Sequence, residues 1–138
     1  MTDLEIAKAR LYVHKLCLCK NGKVITSDAR GIAPMMDLIA DGKDLNGYSA
    51  ADVVVGKAVA MLFVKCGVRA VYAKTLSDSA KDFLVNHGVA LEYDTLTPKI
   101  INRAGTDICP MEKTVLDCSD VEEAYGLLKI KLASMRNR

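Results

Sequence analysis

The feature that most constrains this chain is a strand–helix–strand unit between residues 68 and 93. Val68 to Ala73 is an apolar run of strand length, interrupted only by Arg69. Ser77 stands where a helix N-cap would, the following helix runs to His87, and Gly88 closes it. Val89 to Tyr93 then reads as the next strand. Two strands joined by a crossover of that length lie parallel, with a right-handed connection expected. Parallel strands need helices to cover them, so this unit commits the chain to the α/β class.

The upstream half adds an antiparallel element. Thr2-Asp3-Leu4-Glu5 has capping-box spacing and predicts a first helix. From Lys15 to Lys20 the period becomes two, with Leu16 and Leu18 on one face and Cys17 and Cys19 on the other. Asn21-Gly22 predicts a hairpin turn, with a return strand over Val24 to Thr26. Ile32 to Ala40 predicts a short helix, and the polar stretch from Asp41 to Tyr48 a loop. Ser49-Ala50-Ala51-Asp52 again has capping-box spacing, which predicts a long buried helix from there to Cys66. After Tyr93, the stretch from Thr95 to Ile108 reads as polar loop, Pro110 as a helix start, and Ser119-Asp120-Val121-Glu122 as the cap of a final helix. The sum is a three-layer α/β/α domain over residues 1–138, with a mixed sheet made of a hairpin and a parallel βαβ unit.

Composition narrows the function classes. Nineteen basic residues against seventeen acidic ones give +2, too balanced for an electrostatically driven nucleic-acid binder. Aromatics are 5% with no Trp, a poor supply of base-stacking platforms, so no nucleic-acid partner is expected. The acidic Met1-Thr2-Asp3-Leu4-Glu5 start, the short longest apolar run (Ala58 to Val64) and an odd set of five cysteines lead to an expectation of reduced thiols, no membrane partner and a cytoplasmic location.

Four groups of residues could carry chemistry. Asp52 is either the acid of its own capping box or an acid/base in a pocket, and Lys57, interrupting an apolar run, either reaches the surface or enters that pocket. Ser77, after a strand and before a helix, sits where open α/β sheets place ligand groups, and equally where a plain N-cap belongs. Asn102, Arg103, Asp107, Cys109 and Glu112 form the densest polar cluster, and a Cys just before a helix-starting Pro is a candidate thiolate or a buried, inert thiol beside a structural polar loop. Cys17 and Cys19 share a strand face but lack a zinc spacing, and His87 is explained by its helix C-terminus. No nucleotide-binding glycine fingerprint is present.

The run from Gly47 to Ala60 (Gly-Tyr-Ser-Ala-Ala-Asp-Val-Val-Val-Gly-Lys-Ala-Val-Ala), followed by Ser77, Asn102-Arg103 and Cys109-Pro110-Met111-Glu112, resembles an uncharacterised prokaryotic family, domain of unknown function 1893. The resemblance extends from about Lys15 to Leu128, and Val53 departs from it, since Lys is expected there. It implies a cytidine-deaminase-like fold. Such domains carry His-x-Glu or Cys-x-Glu on the helix after the hairpin, and Pro-Cys-x-x-Cys on the helix after the next strand, which together hold zinc. On this chain Ala50-Ala51-Asp52 is aligned with the first motif and Ser77-Asp78-Ser79-Ala80 with the second. Ala50 and Ala80 cannot bind metal and Ser77 is a poor ligand, so the resemblance implies that zinc is lost, and no cofactor is expected.

The sequence thus leads to an expected zinc-free deaminase-like pocket for a small polar or nucleotide-like ligand. Asp52 and Cys109 are its candidate catalytic residues, and Ser49, Lys57, Ser77, Asn102, Arg103 and Glu112 its candidate ligand-binding residues. Two alternatives stand beside it: a non-catalytic binding or regulatory module, and a zinc deaminase with unusual ligands among Cys17, Cys19 and Cys109. An unpaired sheet edge also allows a homo-oligomer.

Overall fold

The fold was derived from a computed structural model that describes residues 1–102 and 104–136. The elements follow in the order α1 (Asp3–Arg10), β1 (Leu16–Lys20), β2 (Lys23–Ser27), α2 (Ala33–Ala40), β3 (Ser49–Val55), α3 (Lys57–Lys65), β4 (Ala70–Ser77), α4 (Asp78–Asn86), β5 (Ala90–Thr97), α5 (Pro110–Thr114) and α6 (Val121–Arg136). The five strands form one sheet in the order β2-β1-β3-β4-β5. β1 is antiparallel to both β2 and β3, whereas β3, β4 and β5 run parallel.

Local chemistry accounts for most of these boundaries. Thr2 and Glu5 form the expected reciprocal capping box at the start of α1. Asn21 and Gly22 both take positive φ, 51° and 79°, which makes the two-residue turn between β1 and β2. Ser77 caps α4, its hydroxyl accepting from the Ala80 amide at 3.1 Å. The last helix is capped by Asp120 rather than Ser119: the Asp120 carboxylate accepts from the amides of Glu122 and Glu123 at 3.4 and 3.2 Å.

The expected helix from Ser49 to Cys66 is wrong over its first half. Ser49 to Val55 is a central strand and only Lys57 to Lys65 is helical, with Gly56 as N-cap. A strand buried on both faces has no polar alternation, so its apolar run looks like that of a buried helix. The β-branched run Val53-Val54-Val55 followed by Gly56 is the signal that separates the two. This correction adds a second crossover unit, β3–α3–β4. The other two parallel strands also run further than expected, to Ser77 and to Thr97, so the loop after β5 starts later.

The alternation in β1 sorts the two cores. Leu16 and Leu18 join the larger core under α2, α3 and α4, which also takes in Met35, Phe63, Leu84 and Leu128. Cys17 and Cys19 face the other way, into a smaller core with Ala7, Ala51 and Tyr72 beneath α1. Lys8 helps to hold α1 there, pairing with Glu92 and lying 4.6 Å from the centre of the Tyr72 ring. The result is a helix, a sheet and a helical layer, as expected of the three-layer class. Among the described residues, no helix is long and apolar enough to cross a membrane.

Candidate functional site

The chemistry concentrates at the carboxyl edge of β3 and β4, where ligand groups collect in open α/β sheets. β3 ends at Val55, Gly56 turns the chain, and α3 starts with Lys57 and Ala58. The first amides of a helix have no partner within it, and Gly56 has no side chain to supply one. Glu112 of α5 fills that role from 55 residues away. Its Oε1 accepts from the Lys57 amide and its Oε2 from the Ala58 amide, each at 2.7 Å. Lys57 closes the same junction with its side chain, Nζ donating to the Leu116 carbonyl at 3.0 Å.

Glu112 is 8% exposed. Burial raises its pKa, while the amides of Ala58 and Lys57 and the Lys57 charge pull in the opposite direction. The junction also depends on the missing side chain at Gly56. A Cβ there would come within 3.0 Å of both Glu112 oxygens and the carbon between them. Gly56 has φ −99°, which alanine adopts freely, so Gly56→Ala acts only by evicting the carboxylate. In thermal or urea denaturation, Gly56→Ala and a Glu112 truncation should each destabilise the fold. The double variant should cost little more than either alone, because both remove one contact; additive losses would show that Gly56 acts by another route.

Ser77 lies in the same row of the sheet, one residue past the Val55–Leu76 pair. It is 1% exposed and its hydroxyl is taken up by the cap of α4 and by Ser79 at 3.3 Å, which is the plain N-cap role. Asp52 lies three residues before Val55, in mid-strand, and not in the first turn of a helix as expected. Its register partners are Leu16 and Ala73, both on the larger-core face, so its carboxyl points toward the helical layer. Burial pushes its pKa up to about 8, against the pull of the Val53 and Val54 amides.

The other candidates are placed differently. Ser49 begins β3, paired with Cys19 and Ala70, and is 3% exposed. Six residues of strand, roughly 20 Å, separate it from Val55, so it is not part of this edge. Cys109 is the N-cap of α5, half-buried against the larger core, and its thiol makes no capping bond. Asn102 closes the turn before α5, its Oδ1 accepting from the Thr106 amide at 3.1 Å. It also lines a groove of about 440 Å³ with Asp107, Ile108, Pro110, Lys113, Thr114 and Lys131. Lys113 in that groove is paired with Asp107. Arg103 lies outside the described residues.

The residues were also tested against a zinc site. Cys17 and Cys19 lie in the core under α1, whereas Cys109 packs against the core on the other face of the sheet. The three cannot share one ion. Burial further pushes the Cys17 thiol up to about 11, away from the thiolate that a metal needs. Among the described residues, no three His, Cys, Asp or Glu side chains converge closely enough to hold a metal ion.

The edge therefore joins Lys57 to Glu112 with Ser77 in the adjoining row, and leaves Ser49 elsewhere. The partner that the sequence did not reveal is the α3 amide pair. Its only signal was Gly56, which hid inside the presumed helix.

A crystal structure of a DUF1893 family protein (TM1506) from Thermotoga maritima superimposes with a TM-score of 0.82. The two chains are 26% identical, over 97% of this chain and 91% of the other. A diaminohydroxyphosphoribosylaminopyrimidine deaminase/5-amino-6-(5-phosphoribosylamino)uracil reductase from Thermotoga maritima matches at a TM-score of 0.44 and 16% identity, over 57% of this chain and 28% of that one, a likeness too slight to carry an argument. No curated protein matches the sequence. The family described as TM1506, domain of unknown function (DUF1893), matches residues 12–132, and the chain belongs to it.

Proposed function

We propose that this protein is a zinc-free ligand-binding module of deaminase-like architecture. Its site is the carboxyl edge of β3 and β4, and its ligand is small, polar and nucleotide-like. The observation that carries this reading is the Glu112 carboxylate on the two α3 amides: this edge holds an anionic group through main-chain donors.

The order of elements supports this reading when the deaminase motifs are laid on it. The helix after the hairpin is α2, and the helix after the next strand is α3. The two zinc motifs would therefore fall near Ile32-Ala33-Pro34 and Gly56-Lys57-Ala58, not at Ala50–Asp52 and Ser77–Ala80. None of those six side chains is a zinc ligand. In this reading the anion at α3 is supplied by the chain itself, and a ligand phosphate or carboxylate would compete with Glu112 for the same amides.

The test is thermal denaturation with a panel of nucleosides, nucleoside monophosphates and inorganic phosphate. A ligand present at 100 times its Kd stabilises by about 2.7 kcal/mol, several degrees in Tm. The expected result is a rise with a monophosphate that the matching nucleoside does not give. A flat response across the panel overturns the reading.

Asp52 favours a second, catalytic version. A carboxyl that titrates near neutrality beneath the helical layer is matched to general acid/base work. Cys109 would be the nucleophile in that version, and full turnover by Cys109→Ser would remove it.

A further inference from the structure

The outward face of α6 carries a combination that the fold itself does not use. Gly126 sits in mid-helix, where glycine is a poorer choice than alanine. No positive φ requires it, and a Cβ there would meet nothing within 4 Å. On the same side, Ile130 is 71% exposed and Leu127 is 38% exposed, within a turn of the glycine. A bare backbone flanked by large apolar side chains suits close approach by another helix.

Charge indicates what that helix is. The first turn of α6 carries Glu122 and Glu123, and its second half carries Lys129, Lys131 and Arg136. This polarity suits the helix dipole without any partner, but it also makes the helix self-complementary when run antiparallel and self-repelling when run parallel. Glu122, Gly126 and Lys129 flank one side of the exposed stripe. With a two-fold axis between Tyr125 and Gly126, Glu122 of one helix lies opposite Lys129 of its copy, and the two glycines meet near the axis.

We infer that the protein forms a symmetric homodimer through antiparallel packing of α6 on α6, with Gly126 at the closest approach and Leu127 and Ile130 as the apolar anchors. Glu122, now paired with Lys65 at 2.7 Å, would be shared with the copy's Lys129. The interface is isologous, as dimers of this symmetry require. It does not depend on the ligand-binding proposal, because α6 lies outside the β3–β4 edge.

Sedimentation equilibrium of the full chain at micromolar concentration tests it. The wild type should be a dimer, and Ile130→Asp should weaken association about 100-fold, as expected for an anchor at an interface centre. Ile130 is exposed in the protomer, so circular dichroism of that variant should be unchanged. Gly126→Ala should stabilise the monomer through helix propensity, seen as a raised Tm at concentrations too low for association, and yet weaken the dimer, two opposite effects that a purely structural glycine would not give. Lys129→Glu should weaken the dimer and the added Glu122→Lys should restore it. A wild type that stays monomeric, or a dimer indifferent to both Ile130→Asp and Gly126→Ala, overturns the inference; failure of the charge swap to restore association overturns the antiparallel alignment.

Discussion

Truncating Glu112 to alanine should destabilise the protein by about 2–4 kcal/mol, a drop in Tm of roughly 10 °C. Two charge-assisted hydrogen bonds would go, and the Lys57 and Ala58 amides would be left without an acceptor in a site where Ala58 is buried. The loss also loosens α5, because Glu112 ties it to α3 while the Lys57–Leu116 contact holds only the turn that follows it. Glu112→Gln should recover about half of the loss, since its amide oxygen still accepts from one of the two donors while its NH2 faces the other. Chemical denaturation of the three proteins at neutral pH measures the series. Equal stability of all three would mean that the carboxylate contributes nothing there.

Asp52 should make the protein less stable as pH rises from about 4 to 8. Its folded pKa of about 8 lies above the ordinary value of 3.8. Between those two values the folded state keeps a proton that the unfolded chain has released, so the unfolded state binds fewer protons and stability falls with pH. The slope is at most about 1.4 kcal/mol per pH unit, which amounts to about 2–4 kcal/mol between pH 5 and pH 8. Burial raises Glu112 as well, which adds a slope of the same sign. Asp3 and Asp107 are shifted down, Asp3 by the amide of Asn21 and Asp107 by Lys113, and would act with the opposite sign, but both are exposed and contribute little. Asp52→Asn removes the group that dominates this pH dependence. It should be more stable than wild type at pH 8, nearly equal to it at pH 4, and should show a flatter profile between. Parallel profiles for the two proteins would show that Asp52 ionises normally.

Much of the fold was legible because its punctuation is local. The Thr2–Glu5 box, the Asn21-Gly22 turn, the Ser77 cap and the Gly88 stop each encode one boundary within a few residues. The parallel pairing of β4 and β5 followed from the length of the segment between them. β3 was not legible for a physical reason: a strand between two others, largely covered on both faces, shows no regular polar alternation and so reads like a buried helix. Ser49 and Asp52 then imitated a capping box, with nothing local to correct the impression.

The same error governed the site. Lys57 was singled out as an interruption of an apolar run, Ser77 as a residue between strand and helix, and Glu112 as part of a polar cluster, but what Glu112 holds could not be read, because its partners are main-chain amides 54 and 55 residues away. Amides carry no sequence signature. Placing the start of α3 seven residues later than expected moved its N-cap from Ser49 to Gly56, and with it the amides that hold Glu112 at this edge.

Amide hydrogen exchange at Lys57 and Ala58 tests the clamp between Glu112 and the start of α3 most directly. The first amides of a helix have no acceptor within it and ordinarily exchange as fast as an open chain. If Glu112 holds both, they exchange slowly in the wild type and become fast in Glu112→Ala while the middle of α3 stays protected. Fast exchange at both amides in the wild type would contradict the clamp and the site built on it.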